Sequence, residues 1–83
     1  MAKLLFFGRF SDIAKARDMA LPAGVSDSAA LADWLAQSDA ALAAQFARAG
    51  NRVAVNKVMV SGTVPITDAD EIAFMSALSG GLR

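Results

Sequence analysis

Cysteine and histidine are both absent from the 83 residues. No disulfide staples the chain, and a zinc site or a Cys–His or Ser–His nucleophile is excluded within it. Eight basic residues balance eight acidic ones, so no net charge draws the chain to nucleic acid or to an anionic membrane. Apolar runs are short, none approaching the ~20 residues of a membrane span. The opening Met1-Ala2-Lys3-Leu4-Leu5-Phe6-Phe7 is basic then apolar, but Gly8-Arg9 interrupts it before it reaches signal-peptide length. These absences predict a single cytoplasmic domain with no catalytic residues, metal or bound cofactor of its own, and with neither a nucleic-acid nor a membrane partner.

Hydrophobic residues make up 55% of the sequence, and the mean hydropathy is +0.42. Much of this is alanine, so the core is smaller than the percentage suggests, and an exposed sticky face can account for part of the excess. Lys3–Phe7 reads as a strand ended by Gly8. Ser11 is placed to cap a short helix through about Arg17. Met19–Leu21 is a short strand stopped by Pro22 and Gly24, pairing with the first as a hairpin-like unit. Ser26, Asp27 or Ser28 caps the clearest helix, in which Leu31, Trp34 and Leu35 share one face. A second helical stretch, Ala40–Ala49, ends at Gly50-Asn51. Val53–Asn56 and Val58–Val60 read as strands, Thr67–Asp70 as an acidic turn, and Glu71–Met75 as the last strand. Strands at both ends with helices between them predict an α+β domain, a sheet with helices on one face.

The strand alternation sorts the side chains by face. Lys3, Leu5 and Phe7 point one way, as do Glu71, Ala73 and Met75, and the charged members mark that face as wet. Phe7 and Met75 are therefore apolar residues on the solvent side, and Met59 joins them by alternation against Val58 and Val60. Such a cluster marks a partner-binding patch. Trp34, Leu31, Leu35 and Phe46 are expected in the core. Asp68, Asp70 and Glu71 lack the spacing of a calcium loop and read as a solvated turn. Ser79-Gly80-Gly81, close to the end, cannot hold regular structure. The division expected is a domain over 1–78 and a flexible tail over 79–83.

Lys3–Phe7 at the start, Ala54-Val55-Asn56-Lys57 in the middle, and Asp68–Phe74 running into Ser79-Gly80-Gly81 together resemble the small subunit of molybdopterin synthase, a sulfur carrier of the ubiquitin-like β-grasp kind. The likeness covers nearly the whole chain. It implies a β-grasp fold, a mixed sheet packed on helices, with the first and last strands adjacent and parallel. It also implies that an adenylating enzyme uses ATP to activate the Gly81 carboxylate, and that a sulfur donor converts it to a thiocarboxylate. The tail then enters the large synthase subunit and gives its sulfur to cyclic pyranopterin monophosphate. Gly80 and Gly81 would carry the chemistry, and Phe7, Met59, Met75, Leu78 and Ser79 would contact the partners. If extended, the four residues from Leu78 to Gly81 reach about 13 Å, enough to enter a buried site.

Three positions depart from that family's pattern. Ala69 stands where the acidic turn usually has Gly, so a turn without positive φ is expected there. Ser76-Ala77 replaces two prolines, which predicts a less restrained tail. Leu82-Arg83 follows Gly81, so a form ending at Gly81 is expected to be the competent one. Two other readings are carried forward: a thiazole-pathway sulfur carrier, which has a smaller first connection, and a β-grasp interaction module that carries no sulfur.

Overall fold

The computed structural model describes residues 1–77. Strand β1, Ala2–Phe7, keeps strict alternation: Ala2, Leu4 and Phe6 are buried, while Lys3 and Phe7 are exposed. A 3-10 helix, Gly8–Asp12, follows it and leads to β2, Arg17–Met19. Helices α1, Ser28–Ser38, and α2, Ala40–Phe46, come next, then β3, Arg52–Val55, β4, Val58–Val60, and β5, Glu71–Met75. The sheet order is β2-β1-β5-β3-β4. β1 and β5 run parallel in register from Lys3 opposite Glu71 to Phe7 opposite Met75, and the other pairings are antiparallel. A parallel neighbour needs a crossover, and the segment holding both helices supplies it. The fold is the expected α+β β-grasp.

The inner face of the sheet contributes Leu4, Phe6, Ile72 and Phe74 to the core, and the helices contribute Leu31, Leu35 and Leu42. Four of the five phenylalanines meet in one cluster. Phe10 lies 4.9 Å from Phe46 and 6.1 Å from Phe74 between ring centroids, and Phe6 lies 5.7 Å from Phe74. Phe46 meets Phe74 edge-on at 5.3 Å, a favoured geometry for aromatic pairs. The fifth, Phe7, stands on the opposite face.

Several elements differ from the sequence expectation. No helix runs from Ser11 to Arg17. The Ser11 hydroxyl donates to the Gly8 carbonyl instead of capping amides, and the tight 3-10 turn drives Phe10 fully into the core. Arg17 is claimed by pairing with Leu4. That pairing also moves β2 two residues earlier than expected, and Leu21 leaves the sheet to donate its amide to Asp68 Oδ1 at 2.7 Å. α2 stops at Phe46 because the Asn51 side-chain amide donates to the carbonyls of Gln45 and Arg48, which satisfies groups that a longer helix would have used. Asp27 is the cap chosen for α1, accepting from the Ala30 amide at 2.7 Å, and Asp39 caps α2. Trp34 is half-buried at the margin of the core, whereas Leu31 and Leu35 are fully buried.

Asn56 and Lys57, with φ of 51° and 70°, form the two-residue turn between β3 and β4. Asn56 is therefore not the last strand residue but a turn residue with a second task. Its side chain donates to Asp70 Oδ1 and accepts from the Glu71 amide, both at 2.9 Å. Asp70 Oδ2 accepts from the Thr67 amide at 2.7 Å. This closes the acidic turn with no positive φ at Ala69, so alanine is accommodated there without strain. The Asn56 hydrogen bond, followed by that from Thr67, holds the Asp70 carboxyl below its ordinary range.

Truncating Phe10 to Ala should cost about 3–5 kcal/mol, a large share of the roughly 5–15 kcal/mol available to a small domain. Urea unfolding would show it as a lowered midpoint. Because Asp70 is depressed in the folded state, its contribution to stability is complete above the ordinary carboxylate value of about 4 and is lost as pH falls below it. Asn56→Gly keeps the left-handed turn but removes the larger cause. The Asp70 carboxyl should then titrate higher, and acid unfolding should lose part of its steepness. Carboxyl-carbon NMR titration checks this, and an unmoved Asp70 curve would contradict it.

Candidate functional site

The helices cover one face of the sheet and leave the other open. On the open face the ladder sets Lys3 beside Glu71, then Leu5 beside Ala73, then Phe7 beside Met75. β3 continues these rows with Ala54 opposite Ala73 and Arg52 opposite Met75, and β4 adds Met59 opposite Ala54. The face thus carries Lys3 and Glu71 at the end where β1 and β5 begin, and Phe7 and Met75 beside Arg52 where they finish. Ala54 and Ala73 are too small to reach past their neighbours and are buried. The larger side chains stand proud: Phe7 is 48% exposed, Met59 53% exposed, and Met75 half-buried.

Phe7, Met59 and Met75 therefore lie on one face, as the alternation predicted. They line a groove of about 490 Å³ together with Arg52. Its far end is formed by Gly8, Gly50, Ser76 and Ala77. The groove therefore sits at the point where the chain leaves β5. Three apolar side chains on flexible or planar stems can bury against a partner, and Arg52 at the edge can meet an acidic group. Leu78, Ser79, Gly80 and Gly81, the remaining expected site residues, lie outside the described residues.

Ser76 is not a loosened start to the tail. It is buried, and its hydroxyl accepts from the Arg9 amide at 2.9 Å. The role expected of prolines is met at this position by a hydrogen bond across 67 residues of sequence. Gly8 and Gly50 flank this point, and in the sequence they mark only the end of a strand and the end of a helix. Nothing in the sequence pairs them with Ser76 and Ala77, because that proximity is created by the sheet.

The acidic turn behaves as a solvated turn. Its carboxylates are engaged by the amides of Leu21 and Thr67 and by Asn56, and no cluster suited to a metal ion occurs among the described residues. No helix among them is long and apolar enough to cross a membrane.

A comparison with curated proteins gives no match. A family model, that of the ThiS family, matches residues 4–81. The match begins within β1, runs through every later element and finishes on the second glycine of the pair. With this much of the chain matched on top of the β-grasp topology, the protein belongs to the ThiS family of ubiquitin-like sulfur carriers.

Proposed function

We propose that this carrier is the small subunit of molybdopterin synthase, working in the cytoplasm, and that its reactive group is the carboxylate of Gly81. The observation that carries the reading is the apolar groove of Phe7, Met59 and Met75 lying at the root of the segment that leads to Gly80-Gly81. A partner docked there meets the tail as it leaves the domain. The first partner is an adenylating enzyme of the ubiquitin-activating type. In the form that ends at Gly81, which hydrolysis of the Gly81–Leu82 peptide bond produces with release of Leu82-Arg83, a carboxylate oxygen of Gly81 attacks the α-phosphorus of ATP, pyrophosphate departs, and an acyl adenylate forms. A hydrosulfide equivalent from a sulfur donor then attacks the carbonyl carbon, AMP departs, and a thiocarboxylate remains. The second partner is the large synthase subunit, which supplies the catalytic side chains. There two carriers give one sulfur each to cyclic pyranopterin monophosphate to form the dithiolene. Glycines suit this task because a chain without Cβ atoms threads a narrow channel.

Two features would favour the molybdopterin pathway over the thiazole pathway: the double helical stretch, present as α1 and α2, and a helix from Ser11 to Arg17 in the connection from β1 to β2. The connection holds only a five-residue 3-10 helix, which removes the second of these features and keeps the thiazole-pathway carrier as the second reading. Expression in cells lacking each native carrier separates them. Restored molybdenum-enzyme activity is expected, and rescue of thiazole synthesis alone would establish the second reading.

Met75→Asp should leave the fold largely intact and weaken binding to the large subunit by about 2 kcal/mol or more. Calorimetric titration alongside thermal melting tests this. A large loss of stability with unchanged affinity would show that Met75 serves the core.

The tail prediction compares a form ending at Gly81 with one that carries Leu82-Arg83 beyond it. Two extended residues add about 7 Å and two side chains to a segment that must fit a narrow site. With activating enzyme, ATP and a sulfur source, the form ending at Gly81 should gain the mass of one oxygen exchanged for sulfur. The longer form should not. Equal gain by both would overturn this account of the tail, and gain by neither would favour an interaction module that carries no sulfur.

A further inference from the structure

Two glycines from distant parts of the chain flank the place where β5 ends. Gly8 follows β1 and has φ +65°, and a Cβ placed on it would collide with Ser76 Oγ. Gly50 follows α2 and has φ +88°, and a Cβ placed on it would lie 2.7 Å from the Ala77 Cβ. Each glycine thus leaves room for one of two consecutive residues, and both border the groove that holds Phe7 and Met75. The other two left-handed glycines among the described residues, Gly24 and Gly62 with φ of +86° and +70°, have open space at the same position. The backbone conformation alone accounts for glycine at those two sites. At Gly50 the close passage of Ala77 adds to the conformational demand, and at Gly8 the Ser76 hydroxyl, held in place by the Arg9 amide, does so.

We infer that Gly8 and Gly50 are positioning residues that form a notch, fixing where and in which direction the chain leaves the domain relative to the groove. The inference rests on the carrier reading. In a carrier of this kind, docking and chemistry happen at different places: the groove binds, and the Gly81 carboxylate reacts. The two are joined through Ser76 and Ala77. Ser76 is anchored on one wall by the Arg9 amide, and Ala77 passes against the other wall at Gly50. Narrowing the notch displaces the root of the tail while leaving Phe7, Met59 and Met75 able to dock. Once a docked partner holds the tail extended, a displacement at its root is carried along it to the reacting carboxylate and lowers turnover rather than affinity.

The test uses the form ending at Gly81 and the ATP-dependent activating enzyme of the same host, with carrier-dependent ATP–pyrophosphate exchange as the readout. Gly50→Ala should lower kcat on the order of tenfold to a hundredfold with the KM for the carrier unchanged. Gly8→Ala should do the same. Gly24→Ala and Gly62→Ala incur the same left-handed backbone penalty away from the notch and should leave both constants as they were. The double variant Gly50→Ala/Ala77→Gly removes the clash but not the backbone penalty, and it should recover most of the lost kcat. In the isolated protein, residual dipolar couplings of the Ser76 and Ala77 amides should fit the alignment of the core in the unsubstituted and Gly24→Ala forms. They should depart from it in Gly50→Ala and return in the double variant.

Losses as large in Gly24→Ala as in Gly50→Ala, no recovery in the double variant, or couplings that never move would each overturn the notch. Exchange that Gly8→Ala and Gly50→Ala leave unchanged would overturn it while the carrier reading stands. No exchange by the unsubstituted form would overturn the carrier reading and this role with it.

Discussion

The parallel pairing of β1 with β5 is the constraint on which both faces of the protein depend. Its register, Lys3 with Glu71 through Phe7 with Met75, sets inward and outward side chains together, because a one-residue slip would exchange the faces. Inward, it brings Phe6 beside Phe74 at the centre of the aromatic cluster. Outward, it places Phe7 beside Met75. At its end it delivers Ser76 to the turn that follows β1, where the Arg9 amide holds it. The core, the outer row of Phe7 and Met75, and the anchoring of Ser76 are three consequences of one ladder.

The remaining strands join that ladder by antiparallel backbone pairing, and polar side chains at the turns add to it. Asn56 bridges the β3–β4 turn to Asp70 and Glu71. Asp68 takes the Leu21 amide just beyond β2. Ser28 binds the Val64 amide and so closes the 61–66 loop against the start of α1. Each joins segments far apart in sequence at a point where backbone groups would otherwise have only water as partner. The bonds of Asn56, Asp68 and Asp70 lie near the end of the sheet where β1 and β5 start. At the opposite end Phe7 and Met75 stand beside Arg52, and Ser76 is held by the Arg9 amide. A short domain with no disulfide and few large apolar residues spends most of them on one core, so the exposure of Phe7 and Met59 is a cost to stability that partner binding can recover.

The sequence by itself determined the strands with clean alternation, the cap-marked start of α1 and, through its lack of cysteine, that no disulfide staples the chain. It also determined which side chains of β1 and β5 share a face. These properties are local, since a period of two or a capping aspartate acts within a few residues. It gave less at Ser11–Arg17 and Ala47–Ala49, where helical composition was overridden by strand pairing at Arg17 and by the Asn51 side chain. What only the tertiary structure decided is the convergence of Gly8, Gly50, Ser76 and Ala77, and the bridge from Asn56 to Asp70. In sequence Gly8 is a strand stop, Gly50 a helix stop and Ser76 a replaced proline. They become one notch because the parallel β1–β5 ladder and the short α2 bring three separated segments to one point, a proximity that no local pattern encodes.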